Sequence, residues 1–568
     1  MNFNDHSVIS KKTKEKSKNL LHNFKFMRNY FLRGFKKIVY YIGLVCFVIL
    51  MGRSIFLYAL FTEGMHLQDD MHQEYLNAGI IRNSILEYKR IPLWTPHVGG
   101  GYPLYAYPRD GSLLIPFVIS PLVFGEVQGT KLNVAIIYLI GVMGMFLYAR
   151  YTYKREYFSI ALLTILYAAS PFYISNLVGG NYTYLLTFMF PLIAFFYKKG
   201  RKKPVYLFIA ALCSTVIAIF SKFCIIYVMV ILLFFSICDF VAIRRSRRNR
   251  GNKKVIYTPF FSFAVFVIMT SLFSLFKLIP AYYLVERSEY FDISVKHFFW
   301  FKFRYFQHVL YFLGCISVKH IYDYFVRIIA KGGSVVRPGV LLIVQIMLIA
   351  VPYVISKPHV PCEFMSVEEQ EKKENFYQIR GRILSPTDQD MRWNTLRTTN
   401  SLAYFNFLRN IGTIDWDASR AILPTAVQPR YFVYYKDNES LSYYSIAQDD
   451  VLRENPLYKG EAYFVEGEGK VEKTVMEPNR CKVFVSGSGP CIIAVNQNYD
   501  PNWMSSRGKV KRISSLLGVE VRLDGREEIV FSYHPKLFYY LLVISILSII
   551  YWGYLLNYHR KFIAFITY

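Results

Sequence analysis

Apolar residues in this chain come in long runs, at 38–61, 133–149, 157–175, 205–220, 223–243, 257–279, 338–355 and 537–556. Each run is close to the roughly 20 residues a helix needs to cross a bilayer. A helix is also the form that satisfies its own backbone in lipid. Two shorter segments, 183–197 and 303–318, complete a set in which the chain crosses alternately outward and inward. The pattern predicts a polytopic α-helical membrane protein of about ten spans. The run 113–124 is too short to cross and contains Pro116 and Pro121, so it reads as re-entrant or interfacial.

A different period governs the C-terminal third. Residues 481–486, 491–496, 519–523 and 528–533 alternate apolar with polar, as half-buried strands do, with Gly487-Ser488-Gly489-Pro490 reading as a turn between the first two. Short alternating strands with such punctuation predict an antiparallel β-sandwich-like domain over 357–536. Within it, 366–378 reads as a charged helical stalk.

Charge fixes the expected orientation. The 67 Lys and Arg exceed the 39 Asp and Glu by 28, which raises the question of nucleic acid. The distribution answers it. Residues 357–536 carry 24 basic and 24 acidic side chains, whereas the tail 1–37 has ten basic against Asp5 and Glu15. The segments 198–203 and 244–254 add five and seven basic residues with no acid. Basic clusters beside apolar spans mark cytoplasmic loops and contact anionic membrane lipid, so nucleic acid is not the expected partner.

The expected organisation is therefore a basic cytoplasmic tail at 1–37 and a transmembrane domain at 38–356 with an outer loop at 62–130. An extracytoplasmic β-rich domain follows at 357–536, then a last span and cytoplasmic tail at 537–568. Such a chain belongs in the plasma membrane, multi-pass, with both termini cytoplasmic. The eight cysteines show no metal spacing, and Cys362, Cys481 and Cys491 fall outside the membrane.

The outer loop holds the candidate chemistry. Asp69 and Asp70 stand together just after the first span and four and three residues before Gln73. A carboxylate can take the proton of an attacking hydroxyl, and an adjacent pair can hold a divalent cation against a phosphate. The plainer reading is that the pair caps a helix over 71–87, since carboxylates suit helix starts. His66, His72 and His97 fit no zinc spacing, and Gly99-Gly100-Gly101 lacks the context of a phosphate-binding loop and reads as a turn. Trp94, Tyr102, Tyr105 and Tyr107 offer rings for sugar or lipid, or form an interfacial aromatic belt. Arg109, Lys222, Lys277 and Arg287 lie near outer ends of spans, where charge is costly and often functional or else reaches headgroups.

The order of these motifs adds a resemblance. Asp69-Asp70 with Gln73, then Pro92-Leu93-Trp94 with Pro96, then Gly99-Gly100-Gly101-Tyr102-Pro103-Leu104 resembles the first periplasmic loop of YfhO-like bacterial membrane proteins. Those belong with the C-type (GT-C) glycosyltransferases. Gly179-Gly180-Asn181-Tyr182, Phe190-Pro191-Leu192 and Lys277-Leu278-Ile279-Pro280 are similar to later segments of that family. So are Pro429-Arg430-Tyr431-Phe432-Val433, Asn498-Tyr499-Asp500-Pro501-Asn502-Trp503, Leu516-Leu517-Gly518-Val519 and Phe531-Ser532-Tyr533-His534-Pro535. The family usually has His at the position of Asn181 and Gly at that of Asn502. The correspondence is thinnest over 290–340.

The resemblance implies a glycosyltransferase that moves a sugar from a polyprenyl-phosphate carrier to an extracytoplasmic glycan, lipid or cell-wall polymer. Asp69 or Asp70 would be the catalytic base. Gln73, Trp94, Arg109, Lys222 and Lys277 would bind substrate. No cofactor is required beyond a divalent cation that some members use. Two alternatives stay open: a non-catalytic membrane scaffold of the same fold, and a transporter or flippase of lipid-linked sugar. The second fits poorly, because transporters usually show paired halves and this chain shows none.

Overall fold

The computed structural model describes residues 71–96, 101–107, 114–154, 157–170, 182–220, 222–247, 258–286, 312–316, 459–514 and 516–558. It also describes single positions and short pieces between 42 and 66, at 173, 176 and 177, and within 364–454. The chain forms a helical N-terminal region and a C-terminal antiparallel sheet.

Helix α1 (Met71–Leu86) leads the described part of the outer loop, as the carboxylate-rich start anticipates. Helix α2 (Ile115–Phe124) spans ten residues and so rises about 15 Å, half of a bilayer core. Gly125, at φ +85°, turns it directly into α3 (Glu126–Tyr153). Helix α4 (Tyr157–Ala168) follows. A short helical entry at Tyr182–Leu185 and a tight turn at Leu186–Met189 lead into α5 (Phe190–Gly200). The remaining long helices are α6 (Val205–Phe220), α7 (Lys222–Arg247), α8 (Thr258–Glu286) and α9 (Lys536–Tyr558). Described positions from Ile42 to Ile55 and from Phe312 to Ile316 are also helical.

Among the described residues, three helices are long and apolar enough to cross a membrane, at Glu126–Tyr153, Pro259–Leu284 and Lys536–Leu556. The expected crossing at 338–355 and the stalk at 366–378 lie outside the described residues, as does most of 303–318.

α3 is the centre of the bundle and packs on α1, α2, α4 and α5. Small residues let it approach: a Cβ added at Gly144 would come within 2.5 Å of the Leu192 backbone. Around it, Tyr138 stacks on Phe188 and its hydroxyl donates to the Ala168 carbonyl at 2.9 Å. α8 packs on α6, α7 and α9, and large apolar side chains stay exposed along α7 (Val230, Phe234, Ile237) and α9 (Leu547, Ile550).

Two-residue strands β1 (Met65–His66) and β2 (Phe364–Met365) pair antiparallel. Strands β3 (Ile383–Ser385), β4 (Thr413–Asp415), β5 (Tyr431–Tyr434) and β6 (Val451–Glu454) form a sheet in the order β4-β3-β5-β6. Here β3 runs parallel to both β4 and β5, so an all-antiparallel domain is not what forms. The larger sheet holds β7 (Ala462–Glu477), β8 (Arg480–Asn498), β9 (Trp503–Ser505), β10 (Lys509–Ile513) and β11 (Leu516–Tyr533). Its order is β10-β11-β8-β7, with β9 on the far end of β11.

The turn expected at Gly487–Pro490 does not exist. β8 runs straight through it, with Gly487 opposite Gly525 on β11 and Gly469 on β7, and Gly489 opposite Leu523. A row of glycines across three strands lets the backbones come close where the strands irregularly pair, and Gly489 and Gly525 take positive φ. The four short strands read from the sequence are thus halves of two long ones. Their apolar positions share one buried face: Cys481, Val483, Val485, Cys491, Ile493 and Val495 on β8, and Leu517, Val519, Leu523, Ile529 and Phe531 on β11. Cys481 and Cys491 are free thiols on the same strand.

Candidate functional site

The direction of α1 defines the first site. Arg82, near its end, lies 3.9 Å from Glu126 at the start of α3. Glu74, in its first turn, is within electrostatic reach of the Tyr182 hydroxyl, which hydrogen-bonds with Asn133. Seven residues of α3 separate Glu126 from Asn133, about 10 Å of helix rise. α1 therefore runs antiparallel to α3, and the chain enters it at the end farther from Glu126. Polar side chains are buried here against apolar ones: Glu74, Asn77 and Asn133 are buried, and Lys131 is fully enclosed. Asn133 Nδ2 donates to the Phe117 carbonyl at 3.0 Å, tying α2 to the same spot. Buried charge is costly and is retained where it is paired or used.

Asp69, Asp70 and Arg109 lie outside the described residues. Gln73 belongs to the first turn of α1 and Lys222 opens α7, each placed by its backbone alone. Lys277 is 1 % exposed in α8, one residue from Phe276, whose ring meets Phe538 of α9. Among the described residues no group of three or more His, Cys, Asp or Glu could hold a metal.

The structure places Trp94 inside a packed junction. Its ring is fully buried, edge-on to Trp503 at 5.3 Å and tilted on Tyr533 at 4.9 Å. Tyr105 meets Phe538 at 4.8 Å, and Tyr102 is buried beside Tyr107. These rings fill a junction between outer loop, sheet and last helix, so they form neither a sugar-stacking surface nor an exposed belt. The loop folds back on itself through paired backbone bonds of 3.1 Å between Thr95 and Tyr102, while Gly99 and Gly100, read as part of a turn, lie outside the described residues. Gly101, at φ +96°, has no room for a Cβ: Gln497 Nε2 would stand 2.5 Å away.

The sheet supplies the other half. Asn479, in the β7–β8 turn at φ 61°, accepts the Leu93 and Trp94 amides on Oδ1 at 2.7 Å each and donates to the Ile91 carbonyl at 2.7 Å. Arg90 pairs with Glu477 at 3.1 Å. Asn498 Nδ2 donates to the Gly101 carbonyl at 2.8 Å. Asp500 accepts from the Asn502 amide at 2.9 Å and its Nδ2 at 2.7 Å, and His534 N–H donates to the Asn502 carbonyl at 2.9 Å. Three of the motifs that carried the family resemblance, at 92–104, 498–503 and 531–535, converge on this junction. They hold architecture.

Glu74, Asn77, Lys131 and Tyr182 were missed as candidates. Glu74 stands four residues after Asp70 in the sequence, and Lys131 stands at the edge of an apolar run. Both signals were present in the spacing. No family model matches the chain, and no curated protein matches it.

Proposed function

We propose that the chain is a multi-pass plasma-membrane protein of about ten spans with both termini cytoplasmic. Its function is that of a GT-C-like glycosyltransferase moving sugar from a polyprenyl-phosphate carrier to an extracytoplasmic glycan, lipid or cell-wall polymer. The observation that supports this reading is the buried polar group toward the entry end of α1, with Glu74 and Asn77 on α1 and Lys131 and Asn133 facing it from α3. Asp69 and Asp70 immediately precede that end in the sequence. One of them would take the acceptor proton, and the buried cation would oppose the phosphate released. Asp69 and Asp70 together could hold a divalent cation.

The reading is tested in the cell. A deletion strain is complemented with the wild type, Asp69→Asn, Asp70→Asn or the double variant, and envelope glycans are compared by mass spectrometry. Loss of a glycan species in the deletion, restored by wild type and not by the double variant, is the expected result. A glycan profile restored equally by the double variant would leave a scaffold of the same fold.

A further inference from the structure

At one end of the bundle the turn between α5 and α6 presents Lys198, Lys199, Arg201, Lys202 and Lys203 within six residues. The turn is tightly built. Lys202 and Lys203 amides both donate to the Lys199 carbonyl at 3.1 Å, and a Cβ on Gly200 would come within 2.5 Å of the Leu207 backbone. Two of the ammonium groups are held in place by rings. Lys198 Nζ lies 4.8 Å from the Tyr148 ring centre and 5.3 Å from that of Phe235, and donates to the Tyr148 hydroxyl at 2.9 Å. Lys199 Nζ lies 3.8 Å from the Tyr206 ring centre and 5.4 Å from that of Phe195.

Ring and hydroxyl contacts fix a cation without neutralising it. Arg201 is neutralised, by an ion pair with Asp239 of α7. Among the described residues no carboxylate pairs with Lys198, Lys199, Lys202 or Lys203. Four positive charges thus remain on a rigid turn between the ends of α3, α5, α6 and α7. Self-repulsion of that kind is relieved by an anion with several acceptor oxygens, which a phosphodiester supplies. Val205, exposed where the turn enters α6, adds an apolar surface that favours a phosphate carrying acyl chains.

We propose that this turn is a binding site for the headgroup of an anionic phospholipid. The inference stands independently of any transferase activity. It is tested on the purified full chain in neutral detergent by following thermal unfolding during titration. The probes are short-chain phosphatidylglycerol, phosphatidylcholine of equal chain length, and inorganic phosphate. The expected result is a rise in Tm with phosphatidylglycerol alone. Lys202 and Lys203 are exposed, so Lys202→Gln/Lys203→Gln leaves the core packing intact. That variant should raise the phosphatidylglycerol concentration for half-maximal effect about 25-fold, roughly five-fold per lysine at low salt. Lys253→Gln/Lys254→Gln, in the other basic loop, should leave it unchanged. An equal response to phosphatidylcholine overturns the proposal. So does an equal response to inorganic phosphate, or an unchanged response in the Lys202/Lys203 variant.

Discussion

Asn479 holds the backbone of Trp94 from 385 positions away along the chain. One side-chain oxygen takes the amides of Leu93 and Trp94, and the Asn479 amide in turn donates to the Trp94 carbonyl at 3.3 Å. The hairpin tip of the sheet is thus stitched to the loop that opens the helical region. Trp94 then carries the contact onward to Trp503 and Tyr533, at the point where β11 enters α9. Beside this clamp, the Arg90–Glu477 pair and the Asn498–Gly101 bond also tie the loop to the sheet, and the rings back all three.

Removing the clamp should loosen the sheet from the bundle. Asn479→Gly keeps the positive φ and strands two amides, an expected cost of about 2–3 kcal/mol. Asn479→Ala adds a left-handed backbone cost of about 1 kcal/mol. Both should lower Tm, alanine more, and expose 91–107 to limited proteolysis. Equal Tm for wild type and both variants would mean the clamp carries no stability.

Gly101 is the second place where the junction has no slack. Gly101→Ala puts a methyl group against Gln497 Nε2 and Trp94 Nε1, which a Cβ would meet at 2.5 and 2.9 Å, at φ +96°. Strain and displaced packing together should cost about 1–3 kcal/mol. The double variant with Asn479→Gly should cost less than the two singles added, because both act on one contact. Strict additivity in the thermal midpoints would separate the two sites.

Tyr533 gives the junction a pH signature. Burial, and after it the Asp500 carboxylate and Tyr105, pushes its hydroxyl well above the usual tyrosine range. A raised folded value contributes stability that is fully present below the unfolded value of about 10 and lost as pH rises through the folded one. The Tm difference between wild type and Tyr533→Phe should therefore be constant up to about pH 9.5 and shift against the wild type above it. A constant difference up to about pH 11.5 would show that the folded hydroxyl ionises alongside the unfolded one and carries no raised value.

The helices were legible because long apolar runs have few alternatives, and the edges of α6, α7 and α9 fall within a few residues of the runs that announced them, whereas α3 starts a full two turns before its run. The sheet was half legible. Cys481, Val483, Val485 and Cys491, Ile493, Val495 are all odd-numbered, so the alternation passes through Gly487–Pro490 without changing face, as in one continuous strand. The glycines outweighed that parity in the reading because their in-strand role depends on Gly469 and Gly525 across the sheet, and pairing register is not written locally. The packing of Trp94 was not legible for a similar reason. An aromatic in an outer loop suits a sugar or a headgroup until its partners, Trp503 and Tyr533, come from four hundred residues on.

Two buried lysines compete for the role of phosphate ligand under the proposed function, and their surroundings separate them. Lys277 lies on α8, which packs against Leu104–Ala106 and α9 and so borders the loop–sheet junction. Lys131 lies on α3 between Glu126 and Asn133, level with the middle of α1. The proposed reaction has its carboxylates at the start of α1, so Lys131 is the nearer candidate. A short-chain prenyl phosphate should raise the Tm of the full chain, and the informative quantity is that rise within each variant, which does not depend on a lower starting Tm. Lys131→Gln should weaken the prenyl phosphate about 10- to 150-fold, the equivalent of one charge-assisted hydrogen bond of about 1.5–3 kcal/mol. Lys131→Arg should retain part of the response and Lys277→Gln most of it. The opposite ranking would move the phosphate to α8, and with it the whole reacting centre away from Asp69 and Asp70.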